Sequence, residues 1–352
     1  MTGMPGDPLG VRDGASIWHA DVADLYDAWP APDCIISDGA YGLGGFPGDP
    51  RDVGGLAGWY RPHVAAWTRR ATPRTTLWFW NTEVGWATVH PLLVEAGWEY
   101  RACCTWNKGT GHIAGNVNTA TLQQLPVVTE VCVHYRRPPF FRLRGTGPGP
   151  EIPLQQWLRS EWARAGLTLH EADVACGVRN AASRKYLTKD RLWYPPPDEA
   201  LARMAAYADR HGDPAGVPYL SVAGSGRGAT GGSWEEVRAA FHCPFGVTNV
   251  WEEPPVDRIE RLRIPDGKGR IRRLNQKPLR LVARTVALGT DPGGVVWEPF
   301  GSTCPAALAA HRQSRRCCSA ESIGEIARAA VQRLDAYDGV PELAARALGT
   351  GG

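Results

Sequence analysis

Residues 33–45 read DCIISDGAYGLGG. Cys34-Ile35-Ile36 is an apolar run of the length of one short buried strand. It stops at Ser37-Asp38 and opens into a loop carrying Gly39, Gly42, Gly44 and Gly45, with Tyr41 among them. An acid at the carboxyl end of a central strand, followed by a flexible turn and an aromatic ring, lies where open α/β sheets place their chemistry. An ordinary strand that stops at a polar turn has the same look, so the rest of the chain decides between the two.

On the amino-terminal side, residues 1–14 form a loose, polar, glycine-rich leader, and Ser16–Ala20 is a short strand running into Asp21. A small helix is expected over Asp21–Trp29, before Pro30. On the carboxyl side, Leu56–Arg70 has apolar residues at helical spacing, and Thr75–Trp80 (TTLWFW) reads as a buried strand. Val84–Gly97 is a helix closed by glycine, and Tyr100–Trp106 and Val127–Tyr135 are further strands. Strand and helix alternate, the pattern of a parallel sheet with helices on its faces.

The texture changes at Arg136–Pro150, a linker of Pro, Gly and Arg, followed by a helix from about Pro153 to Ala165. Residues 167–187 carry helix-turn-helix punctuation: a helix ending near Cys176, Gly177 for the turn, and Asn180 as cap of a second helix. That second helix would present Asn180, Ser183, Arg184 and Lys185 to base edges or phosphates. A plain helical hairpin with a solvated basic face fits the same pattern. Another helix runs from Pro195 to about His211, and Val217–Val222 is a strand candidate. The glycine loop at 224–232 lacks a lysine followed by Ser or Thr and is no P-loop.

In the last third, residues 247–253 read as strand or turn, and 258–284 form a strongly basic stretch that includes Arg270, Arg272 and Arg273. Such a run is usually a solvated surface; beside a candidate site it also suits phosphates. Asn275-Gln276-Lys277-Pro278 precedes an amphipathic helix, Leu279–Leu288. Gly294–Glu298 is a buried strand running into Pro299-Phe300-Gly301-Ser302-Thr303-Cys304 and an alanine-rich helix. Arg316–Ala320 is a strand ending in Glu321, and Ile323–Leu334 a final helix.

The totals set bounds. A chain of 352 residues, 43% hydrophobic and 21% charged, is an ordinary globular protein, and a net charge of +3 does not by itself demand a polyanionic partner. Nine cysteines include two adjacent pairs but no C-x-x-C, which reads as buried thiols in a reducing cytosol and not as zinc or disulfides. The leader is no signal peptide and no apolar run reaches membrane-spanning length, so a cytoplasmic protein with no membrane association and no metal is expected.

Three stretches, in this order, resemble the amino-group (adenine-N6 or cytosine-N4) DNA methyltransferases that use S-adenosylmethionine. Asp38-Gly39-Ala40-Tyr41-Gly42 stands where that family has D-P-P-Y-G, Asn275-Gln276-Lys277-Pro278 is similar to its "QKP" helix start, and Glu298–Cys304 resembles its D-P-F-x-G-S-G. The order is that of the permuted β group. The resemblance implies a class I, Rossmann-like fold: a doubly wound, mostly parallel seven-stranded α/β sheet with a largely helical insert. The strands are expected near 16–20, 33–37, 75–80, 100–106, 128–134, 294–298 and 316–320. Residues 15–135 would form the catalytic half, 136–246 an inserted target-recognition region, 247–337 the cofactor-binding half and 338–352 a flexible tail.

The resemblance also assigns roles. Asp38, Gly39, Ala40 and Tyr41 are the catalytic candidates. The carboxylate of Asp38 and the carbonyl of Gly39 would accept the N–H bonds of a base amine, and Tyr41 would stack on a flipped base. S-adenosylmethionine would sit on Glu298, Pro299, Phe300, Gly301, Ser302 and Thr303, with Glu321 toward its ribose, Asp21 near its adenine and Gln276-Lys277 near its methionine end. For Asp21 and Gln276, capping a helix is an equal alternative. Double-stranded DNA would be gripped by Asn180, Ser183, Arg184, Lys185, Arg270, Arg272 and Arg273, and a restriction endonuclease is the expected genetic partner. The departures from the family pattern are Gly39 and Ala40 for two prolines, Glu298 for Asp, and Ser302 and Cys304 for glycines. They leave open a non-catalytic DNA-binding relative, or an enzyme acting on RNA or a small molecule.

Overall fold

The computed structural model describes residues 6–112, 121, 123, 125–142, 151–190, 193–221, 240–272, 274–336, 339 and 341–346. The chain divides into two compact units, residues 1–137 with 239–352, and residues 138–238. The first unit opens with β1 (Gly10–Arg12), β2 (Ala15–His19), β3 (Cys34–Ser37), α1 (Leu56–Arg70), β4 (Thr76–Asn81), α2 (Glu83–Glu95), β5 (Glu99–Asn107) and β6 (Thr129–Arg136). The second holds β7 (Phe140–Arg142), β8 (Glu151–Pro153), α3 (Leu154–Arg164), α4 (Leu169–Cys176), α5 (Ala182–Tyr186) and α6 (Asp198–His211). The chain then completes the first unit with β9 (Val250–Glu252), α7 (Leu279–Gly289), β10 (Val295–Glu298), α8 (Pro305–Arg312), β11 (Arg316–Glu321), α9 (Gly324–Ala336) and α10 (Pro341–Arg346).

The sheet of the first unit has the order β1-β2-β11-β10-β3-β4-β6-β5-β9. From β2 through β4 every pairing is parallel; β6 runs antiparallel to both its neighbours. All seven expected strands are present, and two edge strands extend the sheet to nine. One of these, β1, lies in the supposed loose leader. Asp13 and Gly14 both have positive φ (43° and 88°), so they form the two-residue turn that folds β1 antiparallel onto β2. Three further segments differ from expectation. Asp21–Trp29 holds only a single 3₁₀ turn, Val22–Asp24, before irregular turns. Val217–Leu220 forms no strand, and Val222 with the glycine loop lies outside the described residues. The 338–352 tail contains α10, whose Arg346 lies 2.7 Å from Asp257 Oδ2 and 3.1 Å from Glu260 Oε2.

The central strands are apolar on both faces because both faces are covered. Cys34 and Ile36 of β3, with Trp78 and Trp80 of β4, pack on one face against the apolar stripe of α7 and the alanines of α8. Ile35, Leu77 and Phe79 point the other way, against α1 and α2 through Tyr60, Val64, Trp67 and Val89. Each large side chain so buried contributes about 1.5–3 kcal/mol. β10 and β3 are neighbours, pairing Val296 with Cys34 and Trp297 with Ile35. The chain leaves β10 for α8 on one face and β3 for α1 on the other. This is a topological switch point, and it opens a crevice at the carboxyl ends of the two strands.

In the second unit, α3 to α6 enclose a separate core around Trp157, Trp162, Leu201 and Met204. The expected linker contributes a strand to it, since β7 pairs antiparallel with β8.

Candidate active site

The crevice is lined by Asp38, Trp80, Asn275, Gln276, Lys277, Glu298 and the Phe300–Thr303 turn. Asp38 stands at its floor because β3 ends one residue earlier. Lys277, with a side chain only 1% exposed, places Nζ 2.8 Å from Asp38 Oδ1 and 3.2 Å from Glu130 Oε2. These are ion-pair distances, although the angles fall outside hydrogen-bond geometry. Lys108 Nζ is 2.5 Å from the other Glu130 oxygen. The Tyr41 hydroxyl lies 3.0 Å from Asp38 Oδ1 and 3.1 Å from Glu130 Oε2, and its single proton can be donated to either. Two carboxylates and two ammonium groups therefore balance, which is how buried charge is tolerated.

The electrostatics follow from that arrangement. Burial raises the Asp38 carboxyl above its ordinary value, against the pull of Lys277. Burial also opposes the charge on Glu130, but Lys277 and Lys108 together hold its carboxyl below the ordinary range. For Lys277, burial works against the ammonium, and Asp38 and Glu130 more than compensate. Burial, with the two carboxylates beside it, pushes the Tyr41 phenol well up. Glu130 and Lys108 escape a motif-led reading. The only local signal is at Glu130, an acid directly before the apolar run Val131-Cys132-Val133, which has to be paired if it is buried with that run.

The residues after Asp38 are fixed from α1 and β4. The Ala40 carbonyl accepts from Asn81 Nδ2 at 2.9 Å and from the Tyr60 hydroxyl at 3.1 Å. The Gly39 carbonyl accepts no hydrogen bond among the described residues. A Cβ on residue 39 would fall 2.7 Å from Phe300 Cδ2 and 2.8 Å from the Tyr60 hydroxyl, so the family's proline has no room here. Tyr41 is 9% exposed, with Lys277 Nζ 4.9 Å from its ring centre. Beyond it, the Asp49 carboxylate gathers the amides of Gly42, Leu43 and Gly45 and sets the loop.

The turn after β10 is tight. Gly301 donates to the Ala320 carbonyl at 2.7 Å, and a Cβ there would meet Cys304 Sγ at 2.7 Å. Ser302 and Cys304, which stand at family glycine positions, both take left-handed backbone (φ 46° and 47°). That conformation costs about 1–2 kcal/mol for a residue with a Cβ, so the turn keeps the shape glycine would favour. Phe300 packs into an aromatic group with Trp59 and His63, at ring separations of 5.0 and 4.9 Å. The Glu298 carboxylate is turned inward: it accepts from the amides of Ala306 (2.7 Å) and Ala307 (3.3 Å) at the start of α8 and from the Ser319 hydroxyl (2.5 Å). Burial pushes its carboxyl up to about 8. Glu321 accepts from the Ile323 amide at 2.7 Å at the end of β11.

Other expected site residues have local partners. Asp21 is exposed and accepts from the Ala23 amide at 2.9 Å, so it caps the 3₁₀ turn. Gln276 bridges the Leu262 amide (3.1 Å) and the Glu260 carbonyl (2.8 Å), while Glu260 itself caps α7 by accepting from the Leu279 amide. In the second unit, Asn180 does not cap α5. Its backbone is left-handed (φ 56°), and the buried Asp173 carboxylate takes that place, accepting from the Ala182 amide, the Ser183 amide and the Ser183 hydroxyl. α5 spans five residues, Arg184 is exposed, and Lys185 lies 5.5 Å from the Tyr194 ring. Arg270 pairs with Asp266 at 3.0 Å and Arg272 reaches Glu325 at 3.8 Å; Arg273 lies outside the described residues. No cluster of three or more His, Cys, Asp or Glu suited to a metal, and no helix long and apolar enough to cross a membrane, is found among the described residues.

No protein-family pattern matches the sequence, and no curated protein matches it. Solved structures do. The PvuII DNA methyltransferase (cytosine-N4-specific) aligns with a TM-score of 0.53 at 11% identity, covering 98% of this chain and 96% of that chain. The crystal structure of an M1.HpyAVI–SAM complex aligns with a TM-score of 0.48 at 14% identity, covering 91% of this chain and 98% of that chain. At such identities the likeness is one of fold: this is a class I methyltransferase fold built on a mostly parallel mixed sheet.

Proposed function

We propose that the chain is an S-adenosylmethionine-dependent DNA methyltransferase acting on the exocyclic amine of a flipped adenine or cytosine, with adenine slightly favoured. The observation that carries this reading is the meeting of Asp38 with the Phe300–Thr303 turn in one crevice at the switch point, with Gly39 packed against Phe300 beside it. A base amine is a poor nucleophile because its lone pair is shared with the ring. Two acceptors on its N–H bonds draw it toward tetrahedral geometry. The Asp38 carboxylate and the Gly39 carbonyl are such a pair. Asp38 stands ready to take the proton that the amine loses.

The residues present suit the cofactor at the turn and at Glu321, where a close backbone approach is followed by an acid at the end of the next strand. S-adenosylmethionine supplies an electrophilic methyl sulfonium. Glu298 supports this site indirectly, by anchoring the start of α8, because its oxygens are already engaged. The lean to adenine rests on the acid at the first motif position, where cytosine enzymes of the resembled family tend to carry serine. Double-stranded DNA is the proposed substrate, met by the exposed residues Asn180 and Arg184 and by the exposed part of the basic stretch around Lys268 and Arg270. A cognate restriction endonuclease is the proposed partner.

The test is expression in a host free of DNA methylation, with genomic DNA digested to nucleosides and analysed by mass spectrometry. N6-methyladenine or N4-methylcytosine is expected, and its loss in Asp38→Ala. Neither base appearing, with soluble protein present, overturns the reading.

A further inference from the structure

Asp38 Oδ1 lies 2.8 Å from Lys277 Nζ and 3.0 Å from the Tyr41 hydroxyl, which donates to it. Oδ2 accepts no hydrogen bond among the described residues, and Asp38 lines the crevice. Lys277 and Tyr41 are themselves held by a third group. Glu130 Oε2 is 3.2 Å from Lys277 Nζ and 3.1 Å from the Tyr41 hydroxyl, and Glu130 Oε1 is anchored by Lys108. Glu130 sits on β6, locked by the antiparallel ladders to β4 and β5, so it is a rigid support. Lys277 immediately precedes Pro278, the residue that starts α7.

We propose that Lys277 and Glu130 are positioning residues that clamp Asp38 Oδ1 and leave Oδ2 as the single carboxylate oxygen offered to the target amine. This rests on the reading of the chain as an amino methyltransferase. The clamp takes over part of the rigidity that two prolines supply in the resembled motif and that Gly39 and Ala40 do not. An amine misplaced by about 1 Å loses on the order of a hundredfold in rate, so a carboxylate free to rotate would be a poor guide.

The titratable groups that face Asp38 are Lys277 before α7, Glu130 and Cys132 on β6, Tyr41 on its own loop, Tyr60 on α1 and, at longer range, Glu298 on β10. Lys277 and Glu130 act on it with opposite signs. Removing the ammonium makes Asp38 harder to ionise, and removing the Glu130 charge makes it easier. Opposite shifts follow from the two charges alone, so the positioning role is read from a fall in kcat with KM for DNA unchanged.

The experiment follows the Asp38 carboxyl by NMR of protein labelled with 13C at aspartate Cγ, its signal assigned by its absence in Asp38→Asn. The titration midpoint is expected to rise by about one pH unit or more in Lys277→Met and to fall in Glu130→Gln, with Lys277→Arg close to wild type. In methyl-transfer assays kcat is expected to drop at least tenfold in Lys277→Met and Glu130→Gln, with KM for DNA within about twofold of wild type. Midpoints that move together, or stay put, overturn the proposal, as does an unchanged kcat in Glu130→Gln. If Lys277→Met does not fold, Glu130→Gln and Lys277→Arg decide the matter alone. A wild-type protein that transfers no methyl group overturns the functional reading instead, and the titration still reports on the clamp.

Discussion

The ring of Phe300 occupies the space that a side chain on Gly39 would need, with Phe300 Cδ2 only 2.7 Å and Cε2 2.8 Å from where a Cβ would stand. The two residues belong to different halves of the site, one following β3 and the other following β10. Gly39 is therefore required by packing, and the next carbonyl, that of Ala40, is held by Tyr60 and Asn81.

Gly39→Ala is accordingly expected to destabilise the protein by about 1–3 kcal/mol, the usual range for overpacking a filled site. Urea unfolding measures it. Combining it with Phe300→Leu should cost less than the sum of the two single changes, because the smaller side chain yields the space. Strict additivity would show that the two sites are independent.

Tyr60→Phe removes one of the two donors to the Ala40 carbonyl and leaves Asn81. A stability loss of about 1 kcal/mol is expected, with methyl transfer reduced several-fold because the segment after Asp38 is less well fixed. Asn81→Ala on the same background should cost more than it does in wild type. Equal losses would mean that the two donors do not share this task.

Glu298 makes stability depend on pH. Its carboxyl stands at about 8 in the folded chain against an ordinary value of 4.5. Between those values the native state holds a proton that the unfolded chain has released. This contribution to stability is therefore full below the lower value, falls as pH rises, and levels off above the higher one. Glu298→Gln should flatten the decline in unfolding free energy across that window. Equal slopes for variant and wild type would refute the assignment.

Asp173→Ala strips three hydrogen bonds from the start of α5. A loss of about 1–3 kcal/mol is expected, with faster amide hydrogen exchange at Ala182 and Ser183. Asn180→Gly, which removes the side chain and suits the left-handed backbone at this position, should leave both amides unchanged, since Asn180 does not cap that helix. Protection lost in Asn180→Gly and kept in Asp173→Ala would reverse the two roles.

Much of the first unit was legible because its signals are local. The runs at Cys34–Ile36, Leu77–Trp80 and Val295–Trp297 are apolar at every position, as strands covered on both faces must be. The acids that follow them, Asp38 and Glu298, mark where those strands leave the core. The short hairpin at Asp13-Gly14 was equally local, with both residues at positive φ, yet it reads as loose leader when taken for composition alone. The roles of polar side chains were less legible. Asp21, Gln276 and Glu298 each satisfy backbone groups nearby, and a sequence does not distinguish an acid spent on a helix start from one offered to a ligand.

By itself the sequence determined the seven inner strands of the large sheet, their alternation with helices and the glycine turn after β10, because periodicity and turn chemistry are written in neighbouring residues. Only the tertiary structure decided that Glu130, 89 positions from Tyr41, shares its hydroxyl with Asp38, and that Lys277 lies between the two carboxylates. Those meetings depend on strand order and register, which place β6 beside β4 and bring the start of α7 to the end of β3. Inside that low-dielectric crevice a charge without its partner would cost several kcal/mol. The pairing is therefore what allows an acid to stand at the end of this strand at all.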